Sequence, residues 1–175
     1  MSKTKSITIS ALFAALCVIL PMAFHSIANA GQILLPMHIP VLLCGMICGW
    51  PYGLACGILG PVLSSLLTGM PPMAILPSML IELATYGFVS GLLARTINTK
   101  NRILDLYIPL IGAMLAGRLV FGILNALIFR AGNYTFEIWL TAAFVTALPG
   151  IIIQLIVIPA VVFLLRKARL ITYPA

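Results

Sequence analysis

Apolar residues run along this chain in blocks too long for a water-soluble fold. A helix that crosses a membrane needs about 20 such residues, in a range of about 17–25. Six blocks meet that requirement: Ser6–Phe24, Ile33–Trp50, Tyr52–Thr68, Ala74–Arg95, Leu106–Phe129 and Ile138–Leu165. None alternates apolar and polar residues with the period of a membrane β-strand, so the blocks predict helices rather than a barrel. No connection is long enough to separate two domains. Residues 1–175 therefore read as one membrane domain, an all-α compact bundle of about six transmembrane helices. The first block lacks a small-x-small cleavage site, so it is expected to remain as a helix.

Polar and turn-forming residues collect between the blocks. The stretch Gly31–Gly49, GQILLPMHIPVLLCGMICG, opens on a Gly-Gln pair and passes two prolines and His38 before becoming apolar. It reads as an outer loop that drops into a helix, with a pocket beneath it. TGMPPM around Gly69 is stiffened by adjacent prolines, and RAGNYTFE from Arg130 to Glu137 has turn chemistry and an interfacial aromatic. Trp50-Pro51 marks an inner turn.

Composition agrees with a membrane protein. Hydrophobic residues make up 62% and charged residues 7%, against about 25% charged in soluble domains. The net charge is +7, but the basic residues cap apolar blocks instead of forming a solvated face, so nucleic acid is not the expected partner. Lys3 and Lys5 precede the first block. Arg95, Lys100 and Arg102 lie between the fourth and fifth, and Arg166, Lys167 and Arg169 follow the sixth. With six crossings all three clusters fall on one side, which the positive-inside rule makes the cytoplasm. Both termini are then cytoplasmic, in a multi-pass protein of the cell membrane. Arg130 stands alone on the outer side.

Small residues predict close helix contacts. Gly45, Gly49, Gly53 and Gly57 recur every four positions, with Gly87 and Gly91 as a second pair. Such ridges let backbones approach, within the chain or against another subunit. Ala11 and Ala15 form a flat strip on the first helix, suited to internal packing or to a partner. Cys17, Cys44, Cys48 and Cys56 all sit in apolar blocks and read as reduced packing residues.

The sharpest chemical signal is charge inside the membrane. Glu82 and Arg118 both fall roughly 12–15 Å below the outer surface at about 1.5 Å per residue, so they are able to meet. Intramembrane charges face the bundle interior and pair, or line a wet cavity. The pair serves packing alone or contacts a ligand. Tyr86 shares a face with Glu82; Phe121, Gly122 and Asn125 share one with Arg118. Together they suit a small polar molecule. Gln154 reads as a helix-to-helix contact, while Ser64, Ser65 and Thr68 are placed to bond back to carbonyls. His25 and His38 bracket the first outer loop without a third metal ligand, so no metal site is expected. No nucleophile–base spacing, HExxH pattern or nucleotide-binding loop is present, so neither catalysis nor a cofactor is expected. A free-standing secondary transporter or channel for a small polar solute is one reading of such a chain, but no internal repeat supports it.

These features resemble the substrate-binding (S) components of energy-coupling factor (ECF) vitamin transporters. The likeness rests on about six helices with both ends inside, on Ala11-x-x-x-Ala15, on GQILLPMHIPVLLCG from Gly31, and on the TGMPP and ELATYG segments. It implies high-affinity capture of a water-soluble vitamin or precursor in an outward-facing pocket under the loop between helices 1 and 2. It also implies docking on a transmembrane coupling subunit driven by an ATPase pair, and toppling in the membrane to deliver the ligand. Ala11 and Ala15 would face the coupling subunit. Asn29 to His38, with Gln32, would form the lid, and the outer parts of helices four to six would contact the ligand. Arg118 suits a carboxylate of the pantothenate type; Glu82 suits pyridoxine or a pyrimidine precursor. The chain has no N-terminal Met-His motif of the nickel or cobalt type.

Overall fold

The computed structural model describes residues 2–24, 29–99, 101–168 and 170–171. His25, Lys100 and Arg169 lie outside the described residues. All regular elements among the described residues are helical. They are α1 (Lys3–Ala23), a short α2 (Ala30–Ile33), α3 (His38–Cys48), α4 (Trp50–Thr68), α5 (Leu76–Thr96) and α6 (Leu104–Leu124), then α7 (Phe136–Leu140) and α8 (Leu148–Lys167). Wider π turns extend α6 over Asn125–Phe129 and α7 over Thr141–Thr146. Six stretches are long and apolar enough to span a membrane, with α2 and α3 forming one of them as Ala30–Cys48.

The expected sixth helix, Ile138–Leu165, is divided. Phe136–Thr146 forms a short apolar helix, and the span proper is Leu148–Lys167. Pro149 sits in the first turn of α8, where it has no N–H to bond back to the preceding turn, so helical bonding cannot run through it. The break gives the outer face an extra helical segment.

Helix α3 is the centre of the bundle. It packs on α1, α4, α5, α6 and α8, and all but two of its eleven residues are buried. A helix that is apolar all round belongs in such a place. Its close approach to α4 and α5 depends on glycine. A Cβ on Gly53 would strike the Gly87 carbonyl, one on Gly87 would strike Gly53, and one on Gly45 would strike Ser90 and the Gly87 carbonyl. The small-residue ridges are thus used inside the chain. At the cytoplasmic turn Gly49 takes φ 97°, with the Arg95 guanidinium against it donating to the Cys48 carbonyl at 3.0 Å. All four cysteines are buried and free.

Candidate ligand-binding cavity

The outer halves of α5 and α6 carry polar residues that no aqueous surface receives. Glu82 is one and a half turns into α5 and Arg118 lies three turns before the outer end of the α6 span. Arg118 Nη1 meets Glu82 Oε1 at 2.9 Å, and Tyr86 donates its hydroxyl to the same oxygen at 3.1 Å. All three residues are buried. The pairing that the two depths suggested is therefore present.

His38, the first residue of α3, brings its Nε2 to 3.7 Å from the same Glu82 oxygen and tilts its ring against Tyr86 at 5.1 Å. That contact is too long for a hydrogen bond. His38 is 2% exposed, and neither ring nitrogen has a hydrogen-bond partner among the described residues. Its position follows from the turn before it. Leu35 is held at φ 52°, a left-handed backbone that costs a residue with a Cβ about 1–3 kcal/mol. Burial of the Leu35 side chain offsets that cost, and the turn sends the chain from α2 down into α3.

Above this group lies a cavity of about 210 Å³. Glu82, Arg118 and His38 are on its wall, with Phe121 from α6, Gln32 from α2 and Ser78 from α5. The described wall residues come from the outer half of the bundle. Segment α2 lies over this cavity, and a second cavity of about 270 Å³, mostly apolar, opens on the other side of Gly31, Gln32, Ile75 and Met79.

The structure sorts the expected site residues. Glu82, Arg118, Phe121, His38 and Gln32 share the polar cavity. Tyr86 lies off its wall, bonded to Glu82. Asn29 lines the apolar cavity instead. Asn125 is buried off both walls, its amide drawn back to the Phe121 carbonyl at 2.8 Å where α6 widens into a π turn. Gly122 is a seat rather than a lining residue: the Trp139 indole occupies the place of its missing side chain and donates to the Arg118 carbonyl at 3.0 Å. Ala11 and Ala15 are both exposed on the outer face of α1. Gln154 is buried, and its amide nitrogen has no partner among the described residues. Ser65 donates to the Pro71 carbonyl at 2.9 Å and Thr68 to the Ser64 carbonyl at 2.7 Å, so both are spent on their own backbone.

Two wall residues come from the segment that the sequence marked only as a turn. Arg130 and Tyr134 fold back over the cavity with Thr146 of the second π turn. Arg130 stands 6.0 Å above the Tyr134 ring. Burial pushes the Tyr134 hydroxyl above its ordinary range. The available signal was Arg130 itself, a cation on the side that the positive-inside rule leaves almost bare. Among the described residues no group of three His, Cys, Asp or Glu side chains gathers as a metal site.

A family model described as "ECF transporter, substrate-specific component" matches residues 5–162. No curated protein and no solved structure matches the chain.

Proposed function

The chain belongs to the family of substrate-specific components of ECF transporters, and from that premise we propose that it captures a small water-soluble vitamin or precursor in the cavity floored by Glu82, Arg118 and His38. It is a substrate-capture subunit, a multi-pass protein of the cell membrane, and not an enzyme. The observation that carries the proposal is the orphaned imidazole of His38. Buried polar groups almost always find a partner, and an unmade bond costs about 1–3 kcal/mol. A ligand in the cavity would supply one.

The charge pair then has a defined part. Arg118 donates to Glu82 Oε1 at 2.9 Å, and this pairing fixes the guanidinium on the cavity floor, where a ligand can meet it. Segment α2 acts as the lid, with Gln32 at the mouth. Delivery depends on partners. Ala11 and Ala15 give α1 a flat exposed strip for a transmembrane coupling subunit, and an ATPase pair supplies the energy.

Thermal unfolding of the detergent-purified protein against water-soluble vitamins and precursors tests the reading. A ligand at about a thousand times its Kd stabilises by about 4 kcal/mol, so one compound should raise Tm sharply. His38→Phe should fold and lose that shift. A compound that stabilises the variant as strongly as the wild type binds elsewhere, and the cavity assignment fails. Uptake by liposomes without partners would favour a free-standing transporter.

A further inference from the structure

The wall of the polar cavity carries more cationic than anionic side chains. The guanidinium groups of Arg118 and Arg130 only donate. The Tyr134 hydroxyl is buried with no hydrogen-bond partner among the described residues, as are both nitrogens of His38. These two orphans, from α3 and from the connection after α6, line the same cavity. Against them stands one carboxylate, Glu82, whose Oε1 already receives Arg118 and Tyr86. The chain has only three acidic residues. Asp105 is bonded to Thr99 at the cytoplasmic end, and Glu137 is exposed in α7; neither lines the cavity. Among the described residues Arg130 has no carboxylate within ion-pair distance. Two guanidinium charges against one carboxylate leave the wall with one positive charge when His38 is neutral.

From this imbalance we infer that the ligand is a small carboxylate monoanion whose charged group lies between Arg130 and the Tyr134 hydroxyl, with a further acceptor reaching His38. One excess positive charge matches a carboxylate; a phosphate monoester brings about −1.5 to −2 and overshoots it. The cavity is also smaller than the about 300–1,000 Å³ of sites for drug-sized ligands. The inference deepens the capture reading and rests on it.

Matched acid and neutral probes separate the two. Binding of nicotinate and nicotinamide, pantothenate and pantothenol, and biotin and its amide is measured by thermal shift and calorimetry at up to millimolar concentration. Wild type, Tyr134→Phe, Arg130→Gln and His38→Phe are compared. The acid member of at least one pair should bind at least about tenfold more tightly than its neutral partner, the scale of one charge-assisted hydrogen bond. Tyr134→Phe should leave the unliganded Tm unchanged or raised, because the lost hydroxyl bonds nothing, yet weaken the acid about tenfold. Arg130→Gln should abolish the acid preference. A neutral member that binds as tightly as its acid, with binding still lost in His38→Phe, overturns the anion and leaves the capture site standing. Binding that ignores all three substitutions removes the site as well. Failure of every acid to bind the wild type also overturns the inference.

Discussion

The pair Glu82–Arg118 allows a quantitative test of the bundle's polar floor. Arg118→Met removes the cation and leaves the buried carboxylate with the Tyr86 hydroxyl at 3.1 Å and the distant His38. Glu82→Gln leaves the guanidinium without a counter-ion. Stranding either charge at this depth should cost about 3–5 kcal/mol, in line with the about 2.5–3.5 kcal/mol of a lone charge at the centre of a membrane helix. The double substitution restores neutrality and keeps an acceptor for Tyr86. It should cost only the net worth of the lost hydrogen bonding, about 1–2 kcal/mol. The two single losses should therefore exceed the double loss by at least about 2 kcal/mol, which the cycle reads as coupling. Reversible unfolding in mixed micelles, followed by circular dichroism, measures all four proteins. Losses that simply add, or single costs below about 1 kcal/mol, would show that the cavity solvates both charges and that the pair does not hold the floor.

Other parts of the fold make separate demands. Gly87→Val should destabilise by about 1–3 kcal/mol or more, because its side chain meets the Gly53 backbone, which cannot rotate away. Gly31→Ala should leave stability within about 0.5 kcal/mol, as a Cβ there meets nothing; equal losses by unfolding would contradict the glycine contacts. Ala15→Trp, on the exposed face of α1, should leave ligand affinity unchanged while abolishing co-purification with a coupling subunit and uptake. Loss of ligand binding in that variant would place the strip inside the bundle's own packing.

The spans were legible because hydropathy over about 20 residues is a strong signal, and the charge pair because helix rise converts sequence position into depth. Tyr86 followed from the same helical spacing. Three features escaped for physical reasons. Hydropathy does not register a missing backbone donor, so α7 and α8 read as one helix although Pro149 was in view. Face spacing assigned Asn125 and Gly122 to the lining. Spacing alone does not reveal that one amide bonds its own helix or that an indole fills the other's place. Arg130 and Tyr134 lie in a connection, where no periodicity says which way the chain returns. Only tertiary packing brings them over Glu82 and Arg118.

Ligand capture is proposed at the outer end, beside Arg118. Trp139 reports on that place, since its indole donates to the Arg118 carbonyl, and the only other tryptophan, Trp50, is at the cytoplasmic turn. Fluorescence of Trp50→Phe, which keeps Trp139 alone, should be titrated with the compound that raises Tm. The emission should change saturably, with the Kd found by calorimetry. A silent Trp139, with the change appearing only when Trp50 is kept and Trp139 is replaced by Phe, would put the ligand at the opposite end and contradict that proposal.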